Sequence, residues 1–158
     1  METRKYEYGL TLVEMLVVIV VIAVLATMVI GIATRIDNQT KEKSVEAILA
    51  QLDGAIQEYR EFTDAFPAQP EKNFANAAAH SEQLYKELDA IPGSQSVLAK
   101  INDSFIENKY GTADTQPEIY DPWGTVLDYT YVPGDNYPTL ISAGADKVFG
   151  TADDISNK

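Results

Sequence analysis

The fold is decided by the stretch GLTLVE at residues 9–14 and by the apolar run that follows it. The 19 residues 15–33 are Val, Ile, Leu, Met and Ala, interrupted only by Thr27 and Gly31. As a helix rising about 1.5 Å per residue, this run is about 28 Å long, which is close to the hydrocarbon thickness of a bilayer. The sequence therefore predicts a transmembrane helix near the N-terminus.

One acidic side chain, Glu14, lies at the edge of this apolar run. A carboxylate in hydrocarbon costs a few kcal/mol, so we expect Glu14 to have a partner or a functional role. A secretory signal peptide is a weak alternative, because the run is longer than an h-region and lacks a small-x-small cleavage site. An ordinary single-pass anchor would explain the apolar residues and leave Glu14 unexplained.

Gly9, the following Leu-Thr-Leu-Val-Glu and the apolar helix together resemble the class III signal of type IV pilins and type II secretion pseudopilins. In that family, a prepilin peptidase cleaves after the glycine and N-methylates the new first residue. The resemblance implies cleavage between Gly9 and Leu10, methylation of Leu10 and a role for Glu14 in assembly. Two positions depart from the family pattern: Leu10 stands where Phe or Met is more usual, and Gly31 where proline is usual.

The same resemblance implies three segments. Residues 1–9 would be a cytoplasmic leader peptide, residues 10–33 a helix that spans the membrane and later forms the filament core, and residues 34–158 an extracytoplasmic globular domain. The chain would then be a single-pass protein of the inner membrane with its C-terminal domain in the periplasm.

The helical period continues beyond the apolar run, so we predict one helix from about Leu10 to Phe62. Its second half is amphipathic, with polar and charged residues on the face opposite an apolar stripe. The stripe, which we expect to face the core of the globular domain, comprises Val45, Ile48, Leu49, Leu52, Ile56 and Tyr59. Pro67 and Pro70 end this helical region.

The segment 73–101 is rich in alanine and has a helical pattern. Ser81, followed by Glu82, is a candidate N-cap for one helix. The Pro92-Gly93 pair should break that helix, and Ser96 should begin another short one. This segment has no functional interpretation from the sequence.

After residue 120 the pattern changes to strands. Alternation over Thr125–Val132 predicts a strand, the turn at 133–136 follows it, and Thr139–Ser142 predicts the returning strand. The predicted fold class is α+β: a long N-terminal helix packed against further short helices and a small C-terminal antiparallel sheet with an acidic loop. The sole tryptophan, Trp123, is expected to pack in the core or the turn. The Asp-Pro-Trp-Gly turn at 121–124 with its tyrosine-rich strand resembles the major pseudopilins, the G subunits, of type II secretion systems.

An acidic loop lies close to the C-terminus, at residues 142–155. It contains three aspartates, Asp146, Asp153 and Asp154, and two glycines that permit turns. Calcium prefers such a mixture of carboxylates and backbone carbonyls on a flexible loop, although the spacing is not that of an EF-hand. The alternative is a solvated acidic turn without a ligand.

The loop also resembles the Gly-Ala-Asp…Asp-Asp-Ile loop of the major pseudopilins, which binds calcium. The resemblance implies that calcium is bound by the carboxylates of Asp146, Asp153 and Asp154. The backbone carbonyls of Ala143 and Val148 would complete this ligand set.

Composition narrows the classes of function. The formal net charge of −12 makes nucleic-acid binding an unexpected role, because such a surface repels phosphates. The chain has no cysteine, so it has neither disulfides nor thiol chemistry. The only histidine, His80, has no nucleophile near it in sequence and is expected at the surface. No phosphate loop or Gly-x-Ser-x-Gly motif occurs, so we do not expect an enzyme.

The resemblance implies that the chain is a structural subunit that polymerises into a periplasmic pseudopilus driving type II protein secretion. Its partners would be further copies of itself, the prepilin peptidase, other pseudopilins, the inner-membrane secretion platform and the membrane, with no nucleic acid. One alternative is a type IV pilin of an adhesion or motility filament. The other is a membrane-anchored extracytoplasmic binding protein that never polymerises.

Overall fold

The structure is a computed structural model that describes residues 11–110 and 116–158, without the side chains of residues 31–34. The chain divides into two compact units between Asn38 and Gln39. The predicted α+β class is confirmed: a long helix is followed by short helices and then by small antiparallel sheets.

Helix α1 extends over Leu12–Thr63. Within the described residues, it is the one helix long and apolar enough to cross a bilayer. Its large apolar side chains between Leu12 and Ile30 are exposed, as a lipid-facing or helix-facing surface requires. The hydroxyl of Thr27 donates to the carbonyl of Val24 at 2.8 Å, so this polar group is satisfied inside the apolar segment.

The second half of α1 provides one wall of the hydrophobic core of the unit 39–158. Its predicted apolar stripe is confirmed, since five of the six members are buried and Tyr59 packs against them; the buried members are Val45, Ile48, Leu49, Leu52 and Ile56. The hydroxyl of Tyr59 donates to Glu87 on the next helix at 2.8 Å. Burial, followed by this contact with the Glu87 carboxylate, raises the pKa of Tyr59 to about 12.

Two short helices follow, and both begin earlier than the sequence predicts. Helix α2 is Ala77–Asp89 and starts four residues before Ser81. Ser81 does not cap it: its side chain is buried and accepts the amide of Ile119 at 2.9 Å. Helix α3 is Pro92–Leu98, with Pro92 in its first turn. Proline suits that position, because its fixed φ fits a helix and its missing N–H would have no partner there.

Within the described residues, five short strands complete the fold: β1 (Ile106–Glu107), β2 (Glu118–Ile119), β3 (Asp128–Thr130), β4 (Thr139–Ser142) and β5 (Ile155–Ser156). Strands β1 and β2 pair antiparallel, and β3, β4 and β5 form a second antiparallel sheet in that order. The returning strand is confirmed as β4, whereas β3 is shorter than the predicted Thr125–Val132. Three residues are lost at the N-terminal side, where Val126 pairs with Tyr120 in an isolated bridge, and two at the C-terminal side, where Tyr131 pairs with Gln69 in another isolated bridge.

Strand β5 brings both ends of the acidic loop to the same sheet. Ser142, the last residue of β4, pairs with Ile155, the first residue of β5. The C-terminal residues fix this arrangement, because the Asn157 side chain accepts the amide of Leu140 at 2.9 Å and donates to Asp53 of α1 at 2.8 Å. The loop between β4 and β5 is therefore closed at its base by backbone pairing.

Candidate functional site

The N-terminus of α1 places Glu14 in a capping box with Thr11. The Glu14 carboxylate accepts the Thr11 amide at 2.7 Å and the Thr11 hydroxyl at 2.8 Å. In return, the Thr11 hydroxyl accepts the amide of Glu14 at 3.2 Å. Two amides that would otherwise lack partners at the start of the helix are thus satisfied reciprocally, and the negative charge lies at the positive end of the helix dipole.

This capping box changes the interpretation of Glu14. The Thr-x-x-Glu spacing at 11–14 is a capping signal that can be recognised in the sequence. It gives Glu14 a role even in a membrane anchor that does not assemble, so Glu14 alone does not separate the two alternatives. Gly9 and Leu10, the predicted cleavage site, lie outside the described residues.

In the acidic loop, each predicted aspartate ligand binds a backbone amide of the same loop. Asp146 accepts the amide of Val148 at 2.8 Å, and Asp153 accepts the amide of Asp146 at 2.9 Å. Asp154 accepts the amide of Gly150 at 2.8 Å. The structure thus joins Asp146 to the carboxylate of Asp153 through the Asp146 backbone amide. The carboxylate of Asp154 instead lies at the turn that contains Gly150.

Of the three carboxylates, that of Asp153 accepts hydrogen bonds at both of its oxygen atoms. Its Oδ1 atom accepts the Thr151 hydroxyl at 2.5 Å, in addition to the bond between its Oδ2 atom and the Asp146 amide. The hydrogen bonds from Thr151 and Asp146 favour the ionised form and lower the pKa of Asp153. The group is therefore an anion at neutral pH, which is the state that a cation ligand requires.

The donor chemistry of the loop fits calcium, which takes hard oxygen ligands. The Oδ1 atom of Asp154 is buried and has no hydrogen-bond partner among the described residues, so this oxygen could accept a cation. Of the two predicted carbonyl ligands, Ala143 is fully buried, and the Val148 carbonyl accepts the Thr151 hydroxyl at 3.2 Å. Within residues 11–110 and 116–158, no three His, Cys, Asp or Glu side chains are gathered as a metal-binding group, so the loop does not display three converging carboxylates.

The loop is also attached to the segment between α1 and α2. Phe149 stacks on Phe74, with ring centroids 4.8 Å apart and an interplanar angle of 10°. It packs with Ala78 against a small second cluster formed by Ala77, Tyr120 and Val126. No local sequence pattern predicts this contact, because it joins residues that are 75 positions apart.

His80 is buried, which makes the expectation of a surface histidine wrong. Its side chain is only 1% exposed, and its Nδ1 atom lies 2.6 Å from an oxygen of Asp128 on β3. Its Nε2 atom lies 3.6 Å from the carboxylate of Glu71. Its Nδ1 atom is thus hydrogen-bonded to Asp128, whereas its Nε2 atom has no hydrogen-bond partner among the described residues. The arrangement is that of a structural contact between α2 and β3.

Similarity to known proteins identifies the family to which the chain belongs. A family model described as the prokaryotic N-terminal methylation motif matches residues 4–30. Over 160 residues the chain is 32% identical to the type II secretion system core protein G of Escherichia coli strain K12, covering 99% of this chain and 94% of that protein. This chain belongs to the core protein G family. The predicted resemblance to the major pseudopilins of type II secretion is thereby confirmed.

A solved structure also matches the chain, at a lower level of similarity. It is the crystal structure of the major pseudopilin from the type 2 secretion system of enterohaemorrhagic Escherichia coli. The TM-score is 0.42 and the sequence identity 18%, with 77% of this chain and 85% of that chain covered.

Proposed function

We propose that this chain is a structural subunit that polymerises into a periplasmic pseudopilus and thereby drives type II protein secretion. Membership in the core protein G family is the observation that carries the proposal. It favours a secretion pseudopilin over a type IV pilin and over an anchored binding protein that never assembles. The exposed apolar half of α1 supplies the surface that either lipid or neighbouring helices would cover.

Assembly would depend on the charge of Glu14. Cleavage after Gly9 would create an ammonium group on Leu10, and Glu14 of a neighbouring subunit could pair with it inside the apolar filament core. In the single chain, the same carboxylate is satisfied by Thr11. We infer that the capping box accommodates the charge while the subunit waits in the membrane, and that the neighbour's ammonium joins or replaces Thr11 as its partner on assembly.

The location follows from the same proposal. Before assembly, the chain would be held in the inner membrane by the first half of α1, with the domain of residues 34–158 in the periplasm. Its partners would be the prepilin peptidase, other copies of the chain, the other pseudopilins and the inner-membrane platform. The role would be mechanical, not enzymatic.

Assembly is the property that tests this function. When the chain is expressed with the secretion platform and an active prepilin peptidase, we expect filaments sheared from cells to contain it. Recovery of the chain exclusively in the membrane fraction, although the platform and the peptidase are active, would contradict a polymerising subunit and favour the simple anchor.

We also propose that the acidic loop binds calcium. Its ligands would be the carboxylates of Asp146, Asp153 and Asp154, with the carbonyls of Ala143 and Val148. The ion would offset the negative charge that these aspartates place within nine residues. It would also provide a partner for the buried Oδ1 atom of Asp154, the observation that best supports this part of the proposal.

Removal of calcium should lower the thermal stability of the domain. A ligand that binds only the folded state stabilises it by about 2.7 kcal/mol at a hundredfold excess over Kd. For a unit of this size, that corresponds to roughly 10 °C in melting temperature. The measurement is a thermal melt of the full chain in detergent, in millimolar calcium and in chelator, followed by the fluorescence of its single tryptophan.

Three variants test whether the loop aspartates cause the calcium-dependent shift in melting temperature. Asp146→Ala and Asp153→Ala should each abolish the calcium-dependent shift, whereas Asp135→Ala, which changes an exposed turn outside the loop, should retain it. Magnesium should substitute poorly, because its small octahedral shell does not suit a flexible loop that mixes carboxylate and carbonyl ligands. Equal melting temperatures of the wild type in calcium and in chelator would mean that the loop is only a solvated acidic turn.

A further inference from the structure

The carboxylate of Asp121 is buried beneath the acidic loop and has a complete set of partners. Asp121 is 2% exposed and lies in the turn that connects β2 to β3. Its Oδ1 atom accepts the amides of Trp123 and Thr125, at 3.0 and 2.8 Å. Its Oδ2 atom accepts the hydroxyl of Ser142 at 2.7 Å. Burial raises the pKa of this carboxyl despite these hydrogen bonds.

Ser142 connects Asp121 to the start of the acidic loop. It is fully buried at the end of β4. Its hydroxyl donates to Asp121 and also accepts the amide of Gly144 at 3.2 Å. The hydroxyl thus fixes the direction in which the chain leaves the sheet and enters the loop.

Gly144 is the point where the two ends of the loop touch. Its φ of +66° lies in the left-handed region that favours glycine. A Cβ atom there would lie 2.2 Å from the carbonyl oxygen of Asp153 and 2.9 Å from its carboxylate. The same Asp153 carboxylate accepts the amide of Asp146. The position of Gly144 therefore determines where two of the proposed calcium ligands can lie.

We propose that Asp121 is a positioning residue for the cation site, acting through Ser142 and Gly144 on Asp153 and Asp146 without touching the ion. This inference rests on the proposed calcium binding. Removal of the Ser142 hydroxyl would leave the Gly144 amide and one Asp121 oxygen without a partner. The start of the loop would then have to be ordered by the ion itself, and part of the binding free energy would be spent on that ordering.

The test is the calcium Kd of the full chain in detergent, measured by calorimetry after the metal has been removed. Ser142→Ala should raise the Kd about tenfold, the change expected from the loss of one net hydrogen bond. Ser142→Thr, which keeps the hydroxyl, should restore most of the affinity. The matched control is Ser94→Ala: Ser94 is also fully buried, and its hydroxyl donates to Leu88 in the helical segment. This control should lower the melting temperature in chelator and leave the Kd unchanged.

Asp121→Asn provides a second route if Ser142→Ala does not fold. An asparagine side chain has one acceptor oxygen, so it cannot serve both the two amides and the Ser142 hydroxyl, and the Kd should rise in the same direction. A wild type that binds calcium, with a Kd unchanged in Ser142→Ala and Asp121→Asn, would overturn the positioning role alone. A wild type that binds no calcium would overturn the proposed cation site and this inference with it.

Discussion

Replacing Glu14 with alanine is expected to leave the chain in the membrane but exclude it from filaments. The substitution removes a charge that is costly in hydrocarbon, so insertion should be unimpaired. In a filament, it would leave the ammonium of a neighbouring Leu10 buried and unpaired, which costs about 3–5 kcal/mol. That corresponds to roughly a hundredfold loss of incorporation or more. The measurement is the ratio of sheared filament to membrane-bound subunit.

Two further variants separate the charge of Glu14 from its capping role. Glu14→Gln keeps an acceptor for the Thr11 amide, since glutamine also completes a capping box, but carries no charge. Thr11→Ala removes the partner of the cap and keeps the carboxylate. If pairing between subunits matters, Glu14→Gln should fail to assemble nearly as completely as Glu14→Ala, and Thr11→Ala should assemble far better than either. Normal filaments from Glu14→Gln would show that capping is the whole role of Glu14.

Replacing Gly9 with valine should block processing of the chain. The family peptidase cleaves after a glycine, and a branched side chain at that position would obstruct the approach to the scissile bond. We expect at least a hundredfold reduction in cleaved protein, estimated from a transition-state loss of about 3 kcal/mol. The uncleaved chain should remain in the membrane and form no filaments. Tyr8→Val, which alters the neighbouring leader residue, is the control and should be cleaved normally; cleavage of Gly9→Val at the wild-type rate would contradict the predicted site.

Local sequence patterns predicted the long helix well. The period of the apolar stripe on α1 identified Val45, Leu52 and Ile56 as core residues, and all three are buried. Such a stripe is visible because residues three and four apart face the same direction on a helix. The strand Thr139–Ser142 was predicted from the turn at 133–136 that precedes it. In both cases the signal lies within a few residues of the element that it specifies.

Features that depend on distant partners were not predictable in the same way. Strand β2 is two residues long, and its Glu118 is fully buried because it accepts the amides of Lys109 and Tyr110. His80 is buried because Asp128, 48 residues later, is its partner. The expectation that His80 was exposed followed from its alanine-rich surroundings, which carry no information about a carboxylate on another element.

The acidic loop was predictable in part, because some of its features are local and others depend on distant residues. Its composition and glycines indicated a cation site, and the structure shows a loop closed by β4 and β5, in which Asp146 and Asp153 are linked. The support from Asp121 could not be predicted, since it depends on a turn 21 residues before Ser142 folding beneath the loop. Only the folded chain places this buried carboxylate next to the start of the loop.

The mass of the intact protein isolated from membranes with an active prepilin peptidase tests the central claim most directly. If the chain is a pseudopilin subunit, its mass should correspond to residues 10–158 with one added methyl group, and tandem mass spectrometry should place that methyl on the amino group of Leu10. The same preparation from cells without the peptidase should give the uncleaved chain. A protein that still begins at Met1 when the peptidase is active, and that carries no N-terminal methyl group, would contradict the account and leave a membrane anchor as its simplest interpretation.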